Sequence, residues 1–227
     1  MTYKGMIFDF NGVLWWDTAL QEQAWKVYSA KLRGTPFSDE EMSIHVHGRI
    51  NKYTLEFLTG RSLESQELHN LIQGKESTYR SLCLQQGENF KLSPGAIEFL
   101  DFLVTNNIPH TIATASEESN VRFFFENFHL DKWFNFNNVV LDDGKLPGKP
   151  DPQIYLRAAE KINQKPSDCI VVEDAKSGIM AAYNAKIGKI IALGPIEKHK
   201  TLLLLPGVSE AITDFSKFRK EELFLTK

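Results

Sequence analysis

Residues 169–185 read CIVVEDAKSGIMAAYNA. The apolar run Cys169–Val172 meets Glu173 and Asp174 without a gap, and apolar residues then recur at helical spacing from Gly178 to Ala185. That is one buried strand feeding one helix, with two carboxylates at the junction. Four other segments share the strand half of the pattern: MIFDF (6–10), HTIATAS (110–116), FNNVVLD (136–142) and KIIALG (189–194). Helical patterns at Ala96 to Val104, Val121 to Phe128 and Pro152 to Lys161 separate the later ones. Strands alternating with helices of this length require right-handed crossovers, which predicts an α/β core built on a Rossmann-like, doubly wound parallel sheet. Such sheets bind ligands outside the carboxyl ends of their strands, where four of these five segments end in, or next to, reactive polar residues.

Residues 16–90 interrupt the alternation. TALQEQAWKVYSAKL, EEMSIHVHGRI, KYTLEFLTG and SLESQELHNLIQGKESTYRSLCLQQG are amphipathic and carry no strand signal. The expected organisation is a core from 1–15 and 91–227, an inserted α-helical cap over 16–90, and hinges near 14–18 and 89–93. The 227 residues suffice for a sizeable core, and 42% hydrophobic with 24% charged residues is an ordinary globular balance. A net charge of -3 argues against a nucleic-acid or anionic-membrane partner. Two isolated cysteines, Cys83 and Cys169, and the lack of a basic leader with a long apolar segment give a reducing, cytoplasmic profile.

Three motifs carry chemistry. In TIATAS, Thr114 stands at a strand end before Glu117 to Asn120 open a helix, so its hydroxyl and the following N–H groups could cradle a phosphate; taken alone it reads more readily as a helix cap. In GKPDP, Lys149 is aimed by a restricted backbone and could offset phosphoryl charge; taken alone it reads as a solvated loop lysine. Glu173 and Asp174 repel one another unless a cation lies between them, and oxygen ligands suit Mg2+. A turn in which Asp174 caps the next helix is the balanced alternative.

Taken in order, FDFNGVL, ATAS, GKPDPQIYLRAAEKI and VVEDAKSGIMAAYNA resemble the haloacid dehalogenase (HAD) superfamily, in the β-phosphoglucomutase-like branch of phosphatases and mutases. LSPGAIEFLDFLVTNNIPHTIATAS is similar to the helix-strand lead-in of that family, and the likeness spans nearly the whole chain. The resemblance implies that Asp9 attacks phosphorus to form an aspartyl-phosphate. It also implies that Thr114, Ala115 and Ser116 hold the phosphoryl group and that Lys149 offsets its charge. Mg2+ would be held by Asp9, Glu173 or Asp174, and the main-chain carbonyl of Asn11. The helical insertion would set the substrate through Gln21, which stands where the mutase has a histidine, and through the loop HGRINKYT with Gly48, Arg49 and Asn51.

Asn11 departs from the pattern. The family's phosphatases and mutases place a second acid there to protonate the leaving oxygen, and an amide cannot exchange a proton. Three origins fit: a natural slow or non-catalytic member, a change introduced to trap a complex, or partial deamidation at Asn11-Gly12. The expected activity is Mg2+-dependent hydrolysis of a small phosphorylated metabolite, with sugar phosphates leading, by a monomer. A weakly catalytic phosphate-binding protein and a β-phosphoglucomutase-type phosphoryl transferase remain open.

Overall fold

A computed structural model describes residues 3–46 and 50–219. The chain divides into two compact units, one built from Met1–Trp16 and Lys91–Lys227, the other from Asp17–Phe90. The first carries a six-stranded sheet with strands β1 (Gly5–Phe8), β2 (His110–Glu117), β3 (Val140–Asp142), β4 (Cys169–Glu173), β5 (Lys189–Leu193) and β6 (Val208–Ile212), ordered β3-β2-β1-β4-β5-β6 with every pair parallel. β1 and β4 are buried along their whole length, as strands covered on both faces must be.

The pleat sends neighbouring residues of β1 to opposite layers. Ile7 joins Ala113, Val171 and Ile190 in one core cluster. Phe8, on the other face, meets the rings of Phe99 and Phe134 edge-on at 6.0 and 6.1 Å.

The second unit is helical: α1 (Thr18–Arg33), α2 (Asp39–Glu41), α3 (Asn51–Thr59) and α4 (Ser65–Leu84). Trp25, Tyr28, Phe37, Met42, Val46, Leu55, Leu58 and Leu63 form its core. The core unit's helices follow: α5 (Ala96–Thr105), α6 (Glu118–Phe128), α7 (Gln153–Lys161), α8 (Lys176–Asn184) and the short α9 (His199–Leu202). No helix of the described residues is long and apolar enough to cross a membrane.

Three local expectations need correction. β6 carries Ser209 and Glu210 and is only partly buried, so its sequence VSEAI lacks the apolar run that marks the central strands. The strand expected over 136–142 shrinks to Val140–Asp142, because Phe136–Asn138 forms a 3₁₀ turn whose Asn137 N–H is captured by the side chain of Asn135. The helix expected from EEMSIHVHGRI is a single turn opened by a capping box of Ser38 and Glu41, and it widens into a π-helical turn at Met42–Val46. There the carbonyl of His45 is taken by the Thr54 hydroxyl at 2.7 Å. Gly48 and Arg49 lie outside the described residues.

Candidate active site

Parallel pairing sets the site. Phe8 pairs with Val172, so the next residues, Asp9 and Glu173, emerge side by side at the carboxyl ends of β1 and β4. This is where the strand order reverses, since β1 separates β2 from β4. The Asp9 N–H donates to the Val172 carbonyl at 3.1 Å, which fixes its backbone.

Lys149 joins the two acids. Its Nζ donates to Asp9 Oδ1 at 3.0 Å and to Glu173 Oε1 at 2.6 Å, with only 9% of the side chain exposed. That removes the alternative of a solvated loop lysine. Tyr155, from the buried face of α7, donates its hydroxyl to Glu173 Oε1 at 2.9 Å, and the backbone N–H groups of Asp174 and Ala175 reach Glu173 Oε2 at 2.9 Å each. Glu173 is thus wholly buried and accepts from four donors, as a buried carboxylate must. Gly178 makes room for it: a Cβ there would fall 1.5 Å from Glu173 Oε1.

Asp174 lies against the turn after β1. Gly12 holds φ +81°, and a Cβ on it would meet Asp174 Oδ2 at 2.1 Å, so glycine serves both the backbone and the approach. Asp174 does not cap α8, which starts from Ala175 without a side-chain cap.

One oxygen from each of Asp9, Glu173 and Asp174 falls within 4.8 Å of the others. Burial pushes the carboxyl of Asp9 up, with Lys149 opposing and Glu173 adding to the rise. Burial likewise raises Asp174, helped by the charges of Glu173 and Asp9. Burial also works against the Lys149 ammonium, yet Asp9 and Glu173 hold it well above its ordinary value. Among the described residues, the Lys149 ammonium pairs with two of these three acids, so the cluster once ionised has room for further positive charge.

The residues expected to cradle phosphate come from β2. Thr114 is buried, and its Oγ1 accepts from the Ser116 N–H at 3.1 Å. It is not the helix cap, since α6 begins after Glu117. The Ser116 hydroxyl donates to Asn11 Oδ1 at 2.7 Å, which joins the turn after β1 to the end of β2. Ala115 between them is exposed.

Gln21 and Asn51 belong to the helical unit, in a buried polar chain that the sequence did not reveal. The Tyr79 hydroxyl donates to Asp17 Oδ2 at 2.6 Å, and Gln21 Nε2 donates to the same oxygen at 3.1 Å. Gln21 Oε1 accepts from Lys75 Nζ at 2.7 Å, and Lys75 also donates to Glu76 Oε1 at 3.0 Å. Asn51 Nδ2 approaches that oxygen at 3.5 Å. Lys75, unremarkable in sequence, is therefore half of a buried ion pair. Of the two tryptophans after β1, Trp15 packs against Phe128 with ring centroids 5.7 Å apart, whereas Trp16 is 47% exposed.

A family model described as a haloacid dehalogenase-like hydrolase matches residues 3–186. Over 188 residues the chain is 29% identical to the phosphorylated carbohydrates phosphatase of Thermotoga maritima, covering 82% of this chain and 83% of that one. It is 29% identical over 187 residues to the beta-phosphoglucomutase of Bacillus subtilis, covering 80% of each. Among solved structures, the HAD hydrolase of family IA, variant 3, from Entamoeba histolytica matches with a TM-score of 0.89 and 35% identity, covering 96% of both chains.

Proposed function

This chain belongs to the haloacid dehalogenase-like hydrolases, and on that premise we propose that it hydrolyses a small phosphorylated metabolite, with sugar phosphates as the leading class, through an aspartyl-phosphate on Asp9. The observation that carries the reading is the buried junction of Asp9, Lys149 and Glu173 at the strand ends.

A carboxylate oxygen of Asp9 forms the bond to phosphorus while the bond to the leaving oxygen breaks. Lys149, pinned by Glu173, keeps Asp9 oriented and faces the charge gathered on the phosphoryl oxygens. Glu173 positions, since all four of its donors come from the protein. Thr114 and the N–H groups after it supply the cradle for the non-bridging oxygens. Water then attacks phosphorus, phosphate departs, and Asp9 is restored.

The cluster fits Mg2+. Its donors are hard oxygens within reach of one another, and once ionised they carry more negative charge than Lys149 neutralises. Asp9, Asp174 and the main-chain carbonyl of Asn11, with Glu173 beside them, would hold the ion. When bound it supplies positive charge against the transferring phosphoryl group.

The helical unit is the proposed cap, with Gln21 and Asn51 as substrate contacts, on a cytoplasmic monomer. The relatives named above, a carbohydrate phosphatase and a sugar-phosphate mutase, support the substrate class. Asn11 favours a second reading, phosphate binding with little turnover. Phosphate release with Mg2+ over a panel of phosphomonoesters, blanked with Asp9→Ala, separates the two: turnover above the blank supports hydrolysis, and binding without turnover supports the second.

A further inference from the structure

The residue two places after Asp9 is an amide, and its surroundings fix what that amide can do. Ser116 is tethered through its N–H to Thr114 Oγ1 at 3.1 Å, and it spends its only hydroxyl proton on Asn11 Oδ1 at 2.7 Å. The carbonyl end of the amide thus accepts from the protein, and its other end carries only N–H groups, which donate hydrogen bonds. A donor can steady a leaving oxygen but cannot hand it a proton. Among the described residues of the junction, the other proton carriers are committed elsewhere. Lys149 directs its protons to Asp9 and Glu173, and Tyr155 directs its proton to Glu173. Glu173 and Asp174 belong to the cation cluster.

We infer that this chain is built for phosphates whose leaving oxygen is already acidic, namely acyl, enol, aryl and anomeric phosphates, ahead of phosphates of simple alcohols. The inference rests on the phosphatase reading and narrows it. Among carbohydrates it favours phosphate on the anomeric oxygen over phosphate on a primary hydroxyl.

In the first step the Asp9 oxygen bonds to phosphorus, the phosphorus–leaving-oxygen bond breaks, and its electron pair stays on that oxygen. A carboxylate, with a conjugate acid near pKa ~4, departs without a proton. A phenolate, at about 10, needs little help. An alkoxide must be protonated as it leaves, which is the step a positioned acid accelerates by about 10²–10⁴-fold. In the second step the oxygen of water bonds to phosphorus, the bond to Asp9 breaks with its electrons returning to the carboxylate, and the proton of the water passes to solvent. The leaving group is gone by then. Its identity therefore governs kcat/KM, while kcat tends to one common value for all good substrates.

The test measures kcat/KM for acetyl phosphate, phenyl phosphate, glucose 1-phosphate and glucose 6-phosphate with Mg2+. It compares the native chain with Asn11→Asp, using Asp9→Ala as the blank. The expected gain from Asn11→Asp is about 10²-fold or more on glucose 6-phosphate, shrinking below about 10-fold on acetyl phosphate. Turnover above the blank with the same gain on every substrate, or with none, overturns the inference and leaves the phosphatase reading standing. No turnover of any substrate above the blank overturns both. If Asn11→Asp does not fold, imidazole buffer at fixed pH gives a second readout on the native chain. A rise with buffer concentration for glucose 6-phosphate and not for acetyl phosphate supports the inference, and an equal response on both overturns it.

Discussion

The Nζ of Lys149 lies 3.0 Å from Oδ1 of Asp9, although the two residues stand 140 positions apart in the chain. The same ammonium is 2.6 Å from Glu173, so one cation serves two buried acids. Breaking a buried pair is costly because a charge is left without a partner. Lys149→Met should therefore destabilise the chain by about 3–5 kcal/mol in urea unfolding. It should also lower phosphate release by about 10²–10³-fold. Lys149→Arg should not restore activity, since a planar fork does not reproduce a point charge between two carboxylates.

Tyr155 holds Glu173 through a single hydroxyl, at 2.9 Å. Tyr155→Phe keeps the ring under the Lys149 ammonium and removes only that donor. A hydrogen bond to a charged acceptor contributes about 1.5–3 kcal/mol, and urea unfolding should show a loss in that range. An unchanged midpoint would mean that the hydroxyl does not restrain Glu173.

Asp9 and Asp174 make stability depend on pH and on metal together. Their carboxyls are raised to about 7 and about 8 in the folded chain, against about 3.9 when unfolded. The folded state therefore holds protons that the unfolded chain has released, and stability falls as pH rises from about 4 to about 8. A cation binds the ionised form, so Mg2+ should raise the melting temperature more at pH 8 than at pH 5. Melting curves with Mg2+ and with chelator at both values check this. Equal shifts would count against the cluster as a cation site.

In the helical unit, Lys75 and Glu76 form an ion pair with side chains only 5% and 6% exposed. Lys75→Met alone should cost about 3–5 kcal/mol by stranding Glu76, whereas Lys75→Met with Glu76→Leu should recover most of the loss. A double-mutant cycle by urea unfolding measures the coupling.

The legible parts of the fold share one cause. CIVVED and MIFDF are buried on both faces, so their apolar runs are unbroken and their acids mark where the strands surface. VSEAI at the sheet edge has no such run, because its polar residues need not be covered. The site divides in the same way. Asp9, Lys149, Glu173 and Asp174 stand in local motifs, and the structure brings them together.

Tyr155 reads in sequence as one more apolar position of a helix face, because only packing reveals where its hydroxyl points. The bond from Ser116 to Asn11 spans 105 positions and leaves no local trace. Lys75 and Glu76 look like neighbouring surface charges on a long amphipathic helix. The packing of α4 against α1 and α3 buries them.

The central claim is that Asp9 carries the phosphoryl group. Borohydride added during turnover of acetyl phosphate or phenyl phosphate with Mg2+ reduces an aspartyl-phosphate to homoserine, and peptide mass spectrometry locates the change. The account predicts homoserine at position 9 alone, appearing only with substrate and Mg2+. Phosphate release with Asp9 unmodified in the quenched protein would contradict it.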